Sequence, residues 1–331
     1  MKKYLSLLLA VMLALTVLTL PAYAQPEPLT VVTSFYPLYI FAGNILKDVP
    51  GVSLHNLTHP TTGCLHDYQL LAIDMRTLAD ADVLIINGGG MESFLDAVIA
   101  QFPDLQVIDS SAGITLLAND PLVEDADEHD HDHEKEHAHE EGDDHAHDEA
   151  NEEAHDHDHG EFNAHIWLDP VNAARMAQNM ADGLKGRLAD QTVLIEKNLQ
   201  DYQQRLAALD EELHARLDTL PRRDIVTFHE AFPYFAQAYG LTVVAVLALE
   251  PDEALTPQML TALVDKVRAA NLPPLFTEPQ YEDRAARAVA QETGAKVYEL
   301  DPIVTGDGSL DAYETGMRRN AQALVEALGT K

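Results

Sequence analysis

The most constraining feature of this sequence is one amphipathic run, Thr192 to Leu220, in which Ile195, Leu199, Tyr202, Leu206, Leu209, Leu213 and Leu217 recur every three or four residues. That spacing gathers the apolar side chains on one stripe of a helix, with Asp201, Glu212 and Arg216 off it. At a rise of 1.5 Å per residue such a helix spans roughly 40 Å, the reach of a whole domain. Pro221 ends it. A stiff helix of this length, with similar patterns on both sides, predicts two lobes sharing one spine.

Both flanks alternate strands and helices. Before the run, Leu29 to Ser34 reads as a strand feeding the segment Tyr36 to Leu46, and Val52 to Leu57 as a second strand. A helix follows over Asp67 to Leu78, then a strand from Val83 to Asn87, a turn at Gly88-Gly89-Gly90 and a helix from Met91 to Ala100. Asp169 and Pro170 supply an N-cap and first-turn pair for a helix through Val171, Met176 and Leu184.

After the run, Ile225 to Phe228 and Leu241 to Leu249 read as strands around a helix from Ala231 to Tyr239, closed by Gly240. Thr256 and Pro257 open a helix to Ala270. Leu275 to Thr277 and Lys296 to Leu300 are strands around a helix from Tyr281 to Glu292, and Leu310 to Leu328 is the last helix. This alternation predicts an α/β fold with mainly parallel sheets in both lobes. The expected domains are an N-terminal lobe over 25–191, the spine over 192–220 and a C-terminal lobe over 221–331, and 331 residues suffice for two cores.

The net charge of -34 is concentrated in one place: residues 124–161 hold nineteen Asp and Glu against Lys135 alone. Such a surface repels nucleic acid and anionic lipid and attracts cations. Without apolar periodicity the tract has too little to bury to offset its ordering entropy, so a mobile, disordered insert is expected at about 122–161. Its ten imidazoles, His129, His131, His133, His137, His139, His145, His147, His155, His157 and His159, alternate with carboxylates, the side chains that hold zinc and other borderline metals. A flexible chain must be ordered at each binding event, so the tract is expected to gather ions with low affinity.

Met1-Lys2-Lys3, an apolar run from Tyr4 to Leu20 and Pro21-Ala22-Tyr23-Ala24 form an export signal over 1–24, with cleavage expected after Ala24. Periplasmic localisation is therefore expected. Cys64 is the only cysteine, so no intramolecular disulfide forms, and Gln25 stands where a lipoprotein would need a cysteine. The glycine triplet lacks the Lys-Ser/Thr of a phosphate loop and reads as a strand-to-helix turn.

Three histidines stand where a strand or loop gives way to a helix: His66, His165 and His229. Asp301 stands at the end of the strand Val297-Tyr298-Glu299-Leu300. Ligands of open α/β sheets bind beyond the carboxyl ends of strands, which lets these four face one crevice, two from each lobe. Three neutral imidazoles and one carboxylate make a closed tetrahedral zinc shell, suited to carrying rather than to catalysis. Each histidine taken alone reads equally well as a core or surface residue. His59 and Cys64 are secondary candidates for the metal, and His214 reads as a solvated side chain. Glu230 is a candidate to orient an imidazole, and Glu278 to close a salt bridge.

These motifs resemble those of the metal-binding solute-binding proteins of ABC importers, cluster A-I, and among them the zinc-uptake members. The resemblance covers nearly the whole chain after the export signal. It is carried by His66-Asp67-Tyr68, His165-Ile166-Trp167-Leu168-Asp169-Pro170, Tyr202 to Leu209, His229-Glu230-Ala231-Phe232-Pro233-Tyr234-Phe235, Phe276-Thr277-Glu278-Pro279-Gln280 and Asp301. It implies two α/β lobes joined by a rigid helix, with Zn2+ between them on His66, His165, His229 and Asp301. It also implies delivery of the ion to a membrane permease driven by a cytoplasmic ATPase, and a monomer is expected.

One departure is Leu65, where many members have proline before the first ligand. Manganese-type members carry a carboxylate where His229 stands, which favours zinc and leaves manganese import as the close variant. A zinc buffer without a transporter and a metalloenzyme with water at an open position are the rivals from other classes. No His-Glu-x-x-His helix supports the enzyme.

Overall fold

The computed structural model describes residues 28–59, 65, 68–119, 161–247, 256–271, 273–280 and 283–329. The export signal, Cys64, His66 and all ten histidines of the acidic tract lie outside the described residues.

The first lobe contains β1 (Leu29–Thr33), α1 (Tyr36–Ile45), β2 (Val52–Asn56), α2 (Ala72–Ala79), β3 (Val83–Ile86), the one-turn α3 (Asp96–Ile99), β4 (Gln106–Asp109) and α4 (Pro170–Lys185). Its sheet runs β2-β1-β3-β4, all parallel. The spine is α5 (Thr192–Leu217). Beyond it come β5 (Asp224–Thr227), α6 (Pro233–Tyr239), β6 (Thr242–Val246), α7 (Pro257–Ala269), β7 (Leu275–Thr277), α8 (Arg284–Thr293), β8 (Val297–Glu299) and α9 (Ala312–Leu328). The second sheet runs β6-β5-β7-β8, again all parallel.

The two lobes thus repeat one topology. In each, the chain turns back between the first and third strands, at β1/β3 and at β5/β7, and the crevice outside the carboxyl ends of those strands is where such a sheet receives ligands. Residues following β5 and β7 are therefore placed to act on a ligand by topology alone.

The spine stripe is buried as its spacing requires, from Ile195 through Tyr202 to Leu217. It packs against α4, α1 and α9. One apolar core runs without a break from Val31 and Phe41 of the first lobe, through the spine, to Tyr313 and Leu328 of α9. Trp167 lies inside it, edge-on to Phe35 at 5.0 Å. Separating the lobes would expose this shared core, so wide hinge motion is disfavoured. No helix among the described residues is long and apolar enough to cross a membrane.

Several boundaries depart from the sequence pattern for identifiable reasons. The helix expected from Asp67 starts at Ala72, because Asp74 turns back to accept the Leu71 N–H at 2.7 Å and the Tyr68 hydroxyl at 2.8 Å. That fixes the preceding residues outside the helix. The helix expected over Met91 to Ala100 is broken into a 3-10 turn, Ser93–Leu95, and α3. Here Glu92 points inward to the backbone of the glycine turn. Asp169 caps α4 as expected, its Oδ1 accepting from the Val171 N–H at 2.8 Å, and Thr256 caps α7 through the Met259 N–H at 3.2 Å.

Candidate metal centre

The C-lobe half of the site follows from strand register. Thr227 of β5 pairs with Phe276 of β7, so the residues two positions further on, His229 and Glu278, leave the sheet side by side. Glu278 Oε1 lies 2.9 Å from His229 Nδ1. Glu278 is only 4% exposed. On the neighbouring strand β8, the chain continues through Leu300 to Asp301, whose backbone is clamped by Asn320 of α9. The Asp301 N–H donates to Asn320 Oδ1 at 2.8 Å, and its carbonyl accepts from Asn320 Nδ2 at 2.7 Å. The Asp301 carboxylate accepts from the Ile303 N–H at 2.8 Å and from Gln280 Nε2 at 3.0 Å, with the Arg319 guanidinium 3.5 Å away.

His165 comes from the segment that leads into α4, and its ring is fully buried. Asn163 fixes it: Oδ1 accepts the His165 backbone N–H at 3.0 Å and lies 3.2 Å from His165 Nδ1. From below, Asn87 donates from Nδ2 to the Ala164 carbonyl at 2.9 Å. The same segment is bonded to both C-lobe parts of the site. Asn163 Nδ2 donates to the Glu230 carbonyl at 2.8 Å, next to His229. Trp167 Nε1 donates to the Pro302 carbonyl at 2.8 Å, next to Asp301. Tyr313 of α9 closes the junction by donating to the Trp167 carbonyl at 2.7 Å.

The result is a direct meeting across the lobes: the His165 and His229 rings stand edge to face with centroids 4.9 Å apart. Asn163 Oδ1 and Glu278 Oε1 face the Nδ1 atoms of the two rings. Asp301 is held on the adjoining segment. Among the described residues, no three His, Cys, Asp or Glu side chains form a metal-ligating group by themselves. His59 is exposed. His214 stands apart on the spine, half-exposed, with Nδ1 3.0 Å from Asp218, a bond that raises its pKa, and its ring edge-on to Tyr239.

Glu278, expected to close a salt bridge, does so with His229, and so takes the position beside the imidazole for which Glu230 was the candidate. Sequence reasoning passed over Asn163 and Glu92. Glu92 lies at the first lobe's reversal point, where its carboxylate accepts from the Ser34 hydroxyl at 2.6 Å and from the Asn87 and Gly88 N–H groups at 2.7 and 3.1 Å. Burial outweighs these donors and raises its pKa to about 7. The three positive-φ glycines, Gly88 to Gly90, make the turn that aims those N–H groups inward.

Comparison with known proteins agrees with this architecture. Residues 31–327 match the family model described as zinc-uptake complex component A periplasmic. The high-affinity zinc uptake system protein ZnuA of Haemophilus ducreyi is 34% identical over 275 residues, covering 82% of this chain and 84% of that protein. The zinc-binding lipoprotein AdcA of Streptococcus pneumoniae is 29% identical over 98% of this chain, which spans 61% of that longer protein. A crystal structure of a ZnuA deletion mutant with zinc bound superposes with a TM-score of 0.70 at 25% identity, covering 92% of this chain and 100% of that one. With nearly every element from β1 to α9 inside the matched span and the same two-lobed fold in a solved relative, the chain belongs to the family of zinc-uptake complex component A periplasmic proteins.

Proposed function

We propose that this protein captures Zn2+ outside the cytoplasm and hands it to an ABC-type permease driven by a cytoplasmic ATPase, and that it is a carrier rather than an enzyme. His66, His165, His229 and Asp301 form the shell, and the acidic histidine tract gathers ions loosely and passes them on. The observation that carries this reading is the contact of His165 with His229 across the lobe boundary. Hydrogen bonds tie the His165 segment to the neighbours of both His229 and Asp301. Two oriented imidazoles and a carboxylate on bonded segments match the donor types that zinc takes.

Metal analysis and chelator competition on the wild-type chain and on His229→Ala test it. A structural zinc site is worth ~10–16 kcal/mol over four ligands, so loss of one ligand is expected to weaken binding roughly 100-fold. Unchanged tight binding in the variant contradicts the site. Preference for manganese in competition would move the assignment to the close variant. A zinc-limited growth defect on deletion, rescued by excess zinc, separates importer from buffer.

The continuous core makes release a matter of local rearrangement or permease contact rather than of opening a clamshell. Solution scattering of zinc-free and zinc-loaded protein should give nearly the same radius of gyration, and a large decrease on loading would refute this.

A further inference from the structure

We infer that Glu278 is a positioning residue for the metal: its carboxylate selects the tautomer of His229 and strengthens Nε2 of that ring as a ligand. The inference rests on the metal site proposed above. Glu278 is almost wholly removed from water, and of its two oxygens Oε1 meets His229 Nδ1 at 2.9 Å while Oε2 has no hydrogen-bond partner among the described residues. Packing gives no reason for a charge here, because desolvating a carboxylate with one partner among the described residues costs more than burying an amide or apolar group of the same shape. The imidazole supplies the reason.

A carboxylate accepts only, so Nδ1 is the protonated nitrogen and the lone pair lies on Nε2. When a cation binds Nε2, positive charge spreads over the ring to Nδ1–H, and its attraction to the buried carboxylate grows. The interaction is therefore stronger with metal than without, which is the condition for raising affinity rather than merely holding the ring. The other lobe differs: His165 Nδ1 faces the neutral amide oxygen of Asn163 at 3.2 Å. Parallel register is what delivers Glu278, since it and His229 follow the paired residues Phe276 and Thr227 at equal distance.

The test is a double-mutant cycle on the full chain, with zinc affinity measured by chelator competition for wild type, Glu278→Gln, His229→Ala and the double variant. Trp167, the only tryptophan and 5.2 Å from His165 between ring centroids, provides a fluorescence readout. Glu278→Gln should weaken zinc binding about 10- to 100-fold. In the His229→Ala background it should cause no further loss, and Glu278→Asp should restore part of the affinity. Nitrogen NMR of the zinc-free wild type at about pH 8 should find the His229 proton on Nδ1, a measurement that needs no variant.

Wild-type affinity in Glu278→Gln, losses that simply add in the double variant, or a proton on Nε2 would each overturn the inference while leaving the site intact. Full zinc affinity in His229→Ala would overturn the site itself, and this inference with it.

Discussion

Each lobe buries one glutamate where its sheet reverses direction, and the two are used differently. Glu92, beyond β3, is enclosed by three donors from its own lobe, Ser34 and the Asn87 and Gly88 backbones. Glu278, beyond β7, has one hydrogen-bond partner for its carboxylate among the described residues, the imidazole of His229. A carboxylate saturated by fixed donors holds a turn in shape. One that spends its charge on a single imidazole instead sets how that imidazole behaves toward a cation. The same topology thus yields a structural element in the first lobe and an electrostatic one in the second. His165, the described first-lobe histidine of the proposed shell, is placed at one remove, through Asn87 and Asn163.

This contrast can be sharpened by variants ordered by their effect on zinc. After the His229 and Glu278 variants, the largest effect is expected for Asn163→Ala, which removes the acceptor facing His165 Nδ1 and the bond to the Glu230 carbonyl together. Zinc affinity should fall roughly 10-fold, and the stability of the zinc-free protein by about 1–3 kcal/mol. Chelator competition and denaturant titration measure the two, and wild-type values in both would show that the first lobe holds His165 by other means.

Glu92→Gln should leave zinc affinity where it was and change the pH dependence of stability. Burial raises the folded carboxyl from 4.5 to about 7, so the folded protein keeps a proton that the unfolded chain has already given up. The stability this contributes is full below about 4.5 and is lost as pH rises to about 7. Denaturation midpoints across that window should decline less steeply in Glu92→Gln. If the variant weakened zinc as Glu278→Gln is expected to, the division between the two glutamates would collapse.

Deleting residues 124–161 should likewise spare the tight site. Weak, multiple zinc binding should disappear and the single tight site should persist, as titration calorimetry would show. Loss of the tight site would instead assign its ligands to the tract.

Much of this architecture is legible in the sequence because local chemistry and periodicity dictate it. The stripe from Ile195 to Leu217 marks the spine, Asp169 and Thr256 cap the helices they precede, and three histidines at element ends stand out by residue type. What the sequence hides is adjacency across strands. Glu230 is next to His229 in the chain, but Glu278, forty-nine residues away, is next to it in space, because β5 and β7 pair in parallel. No periodicity within either strand reports that register. Asn163 was readable only as a residue beside His165, since an amide gains its meaning from the groups it bridges. Glu92 was hidden for a different reason: a glutamate at the start of a helical pattern ordinarily faces solvent, and only the inward N–H groups of the glycine turn draw it into the core.

In the proposed site one Zn2+ lies between the lobes on His66, His165, His229 and Asp301. Anomalous diffraction at the zinc edge, on crystals of the full chain carrying one equivalent of zinc, tests it most directly. A single strong peak is expected between the lobes with Nε2 of His165 and of His229 each about 2.0–2.1 Å from it, and His66 and Asp301 completing a tetrahedron. A peak in the acidic tract, or one between the lobes that His229 does not touch, would contradict it.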